Sequence, residues 1–321
     1  MRVHFCIMMA ILAVTPCAAQ AQPGQVGNGV NPQAKMQEAM MQEMFKQQEK
    51  MFRAMMGGRD EVTDAQLAKV SVTIDEEKKF GKQVTDYYLG SLKSKGIELN
   101  ENGKDVEYLR SLLEAIREKN NIAKKYKALR LIIAESPEIE AMTIVGGVIV
   151  IHRGLLDFVE NEAELAGVLG HELSHLERSH LTRPIRRAKY IEKNVAGGGG
   201  FSMDKMASMF DMMRDQFMKP FRPEDEAQAD RDGATWIHAL GYDPRALARM
   251  FARVGRKKEA AGAVTIPFLQ SHPAYGDRER DIMATYDELQ RKKPKKGLEL
   301  GVQNLIDREP LFGKNLRERA P

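Results

Sequence analysis

The sequence predicts a mainly helical fold with a small β-sheet, and three observations carry that expectation. Apolar residues recur at helical spacing through most of the chain, as in Leu165, Val168, Leu169 and Leu173. One run, Ile144-Val145-Gly146-Gly147-Val148-Ile149-Val150-Ile151, is β-branched and apolar, as a buried or half-buried strand should be. No segment repeats at a fixed period, so a solenoid or propeller is not indicated.

Taken in order, the spacing predicts helices near 64–95 and 105–118, then strands near 128–134 and 142–151. Helices follow near 161–181, 185–195, 203–218, 223–240, 244–255 and 276–291. The stretch from Glu162 to Gly170 is rich in good helix formers, and Pro223 suits the first turn of its helix. From Lys292-Lys293-Pro294-Lys295-Lys296 onward the chain reads as a basic, solvated loop whose alternative partner is an anionic lipid surface.

The first residues, Met1-Arg2-Val3-His4 and an apolar run to Val14, precede Ala19-Gln20-Ala21, a small-residue cleavage site. They read as a secretory signal peptide, too short for a permanent membrane span. Val14-Thr15-Pro16 is a poor lipobox for Cys17, so lipid anchoring there is disfavoured. Both cysteines, Cys6 and Cys17, fall before the cleavage site, so no disulfide is expected in the mature chain. The expected divisions are a signal peptide over 1–21, a Met/Gln-rich linker and amphipathic segment over 22–60, a main domain over 61–291 and a basic tail over 292–321. Lys and Arg number 49 against 45 Asp and Glu, and losing Arg2 lowers the net charge from +4 to +3. That balance argues against a nucleic-acid partner.

Two segments are rich in methionine. One carries Met36, Met40, Met41, Met44, Met51, Met55 and Met56; the other runs from Met203 to Met218, after a glycine run at Gly197–Gly200 that reads as a hinge. Three readings stay open: ordinary helix packing, an adaptable apolar surface for unfolded polypeptide, and copper binding by thioethers.

The most informative stretch is His171-Glu172-Leu173-Ser174-His175. Residues four apart on a helix lie almost one above the other, so both imidazoles reach one metal ion. Zinc takes nitrogen and oxygen ligands and keeps an open position when it is catalytic; Glu172 is placed to act as a base there. Downstream, Glu226-Ala227-Gln228-Ala229-Asp230 repeats the i, i+4 spacing. Glu226 is assigned as the third ligand, and Asp230 as the acceptor of the His171 ring proton, which fixes its tautomer. By itself this would be a solvated acidic face, since Glu224, Asp225 and Asp232 are also there. His180 would lie about 180° from His171 if the helix continued, so it is expected to cap or flank the helix end. His152 and His238 read as structural.

Ordered short matches run from Leu129 to Asp287, about half of the chain. They are Ser136-Pro137-Glu138-Ile139, Gly146-Gly147, Gly154-Leu155-Leu156, Glu164-Leu165, the two motifs above, and Ser271-His272-Pro273 with Arg278. With them the chain resembles the gluzincin metallopeptidase family of the CAAX-prenyl proteases, the HtpX-type proteases and the BepA- and LoiP-type periplasmic proteases. The resemblance implies an α+β, mainly helical zincin-type domain, one zinc ion per chain, and endopeptidase activity. It further implies that His272 sits on a loop able to fill the open zinc position in a latent state, and that Arg278 lies near the site as an electrostatic stabiliser. A strand after Ser-Pro-Glu-Ile is expected to pair with substrate backbone. The chain departs from the family's usual Asn-Ala there, having Glu140-Ala141, and has Glu279 after Arg278. No helical repeat array follows the catalytic region.

The expected reaction is hydrolysis of an internal peptide bond, with Glu172 moving a proton from the attacking water to the leaving amine. An extended substrate would add as a strand beside 144–151, which suits unfolded or misassembled proteins in the periplasm. Outer-membrane or envelope assembly proteins are expected as further partners, with peripheral membrane contact. The alternative is a chaperone-like binding module whose zinc is structural and closed by His272.

Overall fold

The computed structural model of the chain describes residues 62–194, 221–261, 272 and 278–312, with Met36, Met40 and Glu43 alone before them. The chain divides into two compact units, Met1–Gln48 and Glu49–Pro321. In the first, Met36, Met40 and Glu43 are helical and exposed. The expected helix at 203–218, the glycine hinge and most of the methionine positions lie outside the described residues.

The second unit opens with two short-range signals that the periodicity had merged. The helix expected over 64–95 is two helices, α1 (Asp64–Ala68) and α2 (Ile74–Ser94). Each begins with its own capping box. Thr63 accepts from Gln66 N while Gln66 accepts from Thr63 N, and Thr73 and Glu76 do the same. Each box satisfies two backbone groups that a helix start leaves open, so the second fixes a new start at Thr73.

After β1 (Leu99–Asn100), α3 (Lys104–Arg117) and α4 (Ile122–Lys125) come β2 (Arg130–Ala134), β3 (Ala141–Ile144) and β4 (Val148–His152). The single strand expected over 142–151 is therefore a hairpin. Its turn runs through Gly146 and Gly147, both at positive φ (+95° and +93°), which β-branched residues do not adopt. The sheet order is β1-β2-β4-β3, with β4 parallel to β2 and antiparallel to β3. This corrects the expected edge over 144–151, because β4 is bonded on both sides; the edge strands are β1 and β3, the latter being the strand that follows Ser136–Ile139.

Both sheet faces are covered. Leu131, Ile133, Ala141, Ile149 and Ile151 join one core with α3 and the helices that follow. Ile132, Ala134, Ile144 and Val150 face Phe80, Val84 and Leu89 of α2. This alternation is the two-residue period of a strand buried on both faces.

α5 (Arg153–Phe158) leads to α6 (Glu162–Glu177), the central helix, buried from Glu162 to Leu176. Asn161 caps it by accepting from Glu164 N at 3.0 Å. The helix was expected to reach 181 but ends at Glu177, because Ser179 adopts φ +58° and a 3-10 turn follows at His180–Thr182. Then come α7 (Arg183–Asn194), α8 (Pro223–Leu240), α9 (Arg245–Ala261) and α10 (Arg278–Lys292).

The tail expected as a loop contains α11 (Val302–Asp307), and Glu299 bridges to Tyr242. Glu162 explains the docking. Its buried carboxylate accepts from Tyr242 OH at 2.5 Å, Tyr108 OH at 2.8 Å and Leu311 N at 2.9 Å. No helix among the described residues is long and apolar enough to cross a membrane.

Candidate metal centre

The site lies where α6 and α8 touch backbone to backbone. A Cβ on Gly170 would sit 2.9 Å from Gly233 Cα, and one on Gly233 would sit 2.9 Å from His171 N. Any larger residue at either position would push the two helices apart. The missing side chains thus set the distance between the motif on α6 and the motif on α8.

At this crossing four ligand atoms, from His171, His175, Glu226 and His272, lie within 4.8 Å of one another. His171 Nε2 is 3.1 Å from His175 Nε2 and 3.1 Å from His272 Nδ1. Glu226 Oε1 is 3.0 Å from His272 Nδ1 and 3.5 Å from His175 Nε2; its Oε2 is 3.6 Å from His171 Nε2. All four residues are buried.

The donor set fits zinc on two counts. Bonds of ~2.0–2.1 Å in a tetrahedron put ligand atoms about 3.4 Å apart, and the distances above bracket that value. The second count is the position of the protons. His171 donates from Nδ1 to Asp230 Oδ1 at 2.8 Å, so its Nε2 carries a lone pair. That lone pair, with His175 Nε2, His272 Nδ1 and a Glu226 carboxylate oxygen turned toward it, is a nitrogen and oxygen donor set of the kind zinc takes.

The surrounding charges are ordered. Burial pushes the Asp230 carboxyl up, but Arg278 and His171 outweigh it and hold it at about 2. Arg278 reaches Asp230 with Nε and Nη2, both at 2.7 Å, Glu226 Oε2 with Nη1 at 3.2 Å, and the His272 carbonyl at 3.4 Å. Its guanidinium lies 3.9 Å from the centre of the Phe251 ring. Its donors thus hold Asp230, Glu226 and the His272 carbonyl. Burial pushes Glu226 up to about 7 and His272 down to about 4.

Glu172 is buried beside this group, with Oε1 3.2 Å from His272 Nε2. Burial raises its carboxyl, while His272 and Thr143 of β3 pull the other way. His272 therefore stands between the ligand cluster and Glu172, one ring nitrogen toward each.

Several neighbours have contacts that the sequence did not reveal. His180 Nδ1 is 3.0 Å from His175 Nδ1. The left-handed Ser179 turns His180 back onto the helix it has just left, at a backbone cost of roughly 1–2 kcal/mol. Phe221 stacks on His175, with centroids 3.8 Å apart. Asp225 is held at about 2 by Arg183 and Arg222 against its burial, and Asp232 clamps Ser174 of α6 and Arg178 just after it. An acidic residue in a helix's first turn is a weak signal, and only the partners on other elements give these roles. His152 is far from such a role: Tyr88 OH and Ser136 Oγ occupy its two ring nitrogens at 2.8 and 2.9 Å. His238 is buried near the end of α8.

Residues 104–285 match the model of Peptidase family M48. The beta-barrel assembly-enhancing protease of Escherichia coli is 27% identical over 176 residues, 51% of this chain and 35% of that protein. A putative beta-barrel assembly-enhancing protease of Vibrio cholerae is 25% identical over 227 residues, 67% of this chain and 45% of that protein. The mitochondrial metalloendopeptidase OMA1 of Arabidopsis thaliana is 25% identical over 155 residues, 48% and 30% respectively. The chain spans less than half the length of these relatives.

Proposed function

This chain belongs to peptidase family M48, and we propose that it is a zinc metalloendopeptidase that degrades unfolded or misassembled proteins of the cell envelope. One observation supports the site assignment most: three ligand atoms from α6 and α8 converge beside a buried glutamate that is not one of them. His171, His175 and Glu226 would hold the ion. Zinc, when bound, supplies a Lewis acid that acidifies water and polarises a carbonyl. Glu172 takes the proton of the attacking water on a carboxylate oxygen and hands it to the leaving amine nitrogen. Asp230 keeps the His171 proton on Nδ1, and Arg278 keeps Asp230 charged and in place.

An extended substrate adds to the open side of β3, which packs against α6 next to Glu172. Folded proteins seldom offer a free strand, so substrates are unfolded or misassembled chains. The envelope location draws on the names of the relatives and on the signal-peptide reading of residues 1–21. His272 is the latch: one ring nitrogen takes the place that water needs at the centre, and the other covers the base.

The test is digestion of an unfolded protein, with zinc determined on the same samples. Glu172→Gln should keep its zinc and lose about 10²–10⁴-fold in rate. His272→Ala should exceed the wild type. A Glu172→Gln variant with undiminished cleavage removes the mechanism; a His272→Ala variant no faster than wild type removes the latch.

A second reading has one observation in its favour. The four-ligand closed arrangement is the one structural zinc prefers, and it suits a chaperone-like module that binds unfolded chains without cutting them. Equal zinc and no cleavage in wild type, Glu172→Gln and His272→Ala would favour it.

A further inference from the structure

We propose that His180 and Asp225 form a positioning relay for His175, fixing the tautomer and ring plane in which its Nε2 faces the metal centre. This rests on the reading of His171, His175 and Glu226 as ligands.

The geometry leaves one arrangement of protons. His175 Nε2 points inward, 3.1 Å from His171 Nε2 and 3.5 Å from Glu226 Oε1. Its Nδ1 points outward and meets His180 Nδ1 at 3.0 Å. Two ring nitrogens that close share a single proton. A ligating Nε2 needs its lone pair, so the shared proton belongs to His175 Nδ1, and His180 Nδ1 accepts it. The proton of His180 then sits on Nε2, which faces Asp225 Oδ1 at 3.7 Å. Asp225 is anchored in turn by Arg183 at 2.8 Å and by Arg222 at 3.2 Å. A fixed negative charge behind His180 polarises it and makes its Nδ1 a better acceptor.

The ring plane is fixed separately. Phe221 lies on one face of His175 at an interplanar angle of 24°. Stacking holds the plane, and the hydrogen bond to His180 holds rotation within it. The two α6 histidines are therefore backed by different partners, His171 by a carboxylate directly and His175 by a neutral imidazole with a carboxylate behind it. The left-handed Ser179 gains a purpose from this, because an unbroken helix would carry His180 to the opposite side.

The experiment is a zinc affinity measurement on the full chain by competition with a chromogenic chelator, comparing wild type, His180→Leu, His180→Gln and Asp225→Asn. Removal of an outer partner typically costs about 10–100-fold in metal affinity, so His180→Leu should fall in that range. His180→Gln should recover most of the loss, since an amide oxygen can accept from His175 Nδ1 while filling a volume close to that of leucine. Asp225→Asn should fall between them. If wild type binds zinc and the Leu variant binds it as tightly, or Leu and Gln lose equally, the relay is overturned and the metal centre stands. A wild type without zinc overturns both. Should His180→Leu fail to fold, the ring ¹⁵N shifts of zinc-loaded wild type decide: His180 protonated on Nε2 supports the relay, and His180 protonated on Nδ1 overturns it.

Discussion

Around Glu138, Glu140 and His152 the side chains gather much as they do around His171, His175, Glu226 and His272. In each group one donor atom per residue falls within 4.8 Å of the others. The difference lies in what the ring nitrogens already do. Both nitrogens of His152 meet hydroxyl groups, Tyr88 OH and Ser136 Oγ, so its hydrogen bonding is complete without an ion. In the α6–α8 group His171 and His175 each have one nitrogen engaged outward and one turned in toward the other ligand atoms. Proximity of histidine and glutamate is shared; a set of ring nitrogens turned toward one point is not. The first cluster closes a turn after β2, and the second asks for a cation.

The largest effect should come from Glu226→Ala set beside Glu138→Ala. The first removes a ligand, so zinc content and proteolysis should both collapse, beyond the about 10–100-fold scale of an outer-partner loss. The second should leave both unchanged. Equal zinc loss in the two variants would erase the distinction between the clusters. Next in size is Asp230→Asn, which keeps the shape but lets His171 adopt the wrong tautomer. Zinc affinity should drop by about 10–100-fold, and a chelator titration reads it directly.

The part of this contrast that could be read from the sequence was local. His171 and His175, and Glu226 and Asp230, are pairs at helical spacing, so their shared face follows from the geometry of a single helix. The meeting of the two faces depends on Gly170 opposite Gly233, and neither glycine announces its partner. His180 was read as capping or flanking the helix end, but its return to His175 depends on the left-handed Ser179, a conformation that serine rarely adopts. The hairpin was misread for a different reason. Gly146-Gly147 was in view, yet the β-branched run on both sides outweighed it. The docked tail was hidden because its anchor, Glu162, lies 149 positions before Leu311.

Tyr88→Phe sharpens the other side. It should leave zinc and activity alone while removing the hydroxyl from His152 Nε2 in a buried place. An unsatisfied buried nitrogen costs roughly 1–3 kcal/mol, to be read by denaturant unfolding of the zinc-loaded protein. A change in zinc affinity would mean that the clusters are coupled.

The smallest expected effect is in pH. Burial pushes the His152 imidazole below its ordinary value of 6.5, outweighing the pull of Glu138. The unfolded chain therefore takes up this proton before the folded one does. The contribution to stability is complete above about 6.5 and is lost as pH falls toward the lower folded value, with a slope of at most about 1.4 kcal/mol per pH unit for one proton. The measurement belongs in excess zinc between about pH 7 and 5.5, where ligand histidines hold the metal rather than protons. His180 and His238 are also pushed down by burial and contribute to the same slope, so the comparison is wild type against His152→Gln. The variant should lose less stability than wild type over this range. Equal losses would mean that His152 is protonated as readily in the folded protein as in the unfolded chain. Burial would then not be holding it neutral, and the assignment of this cluster as a self-satisfied structural group would fail.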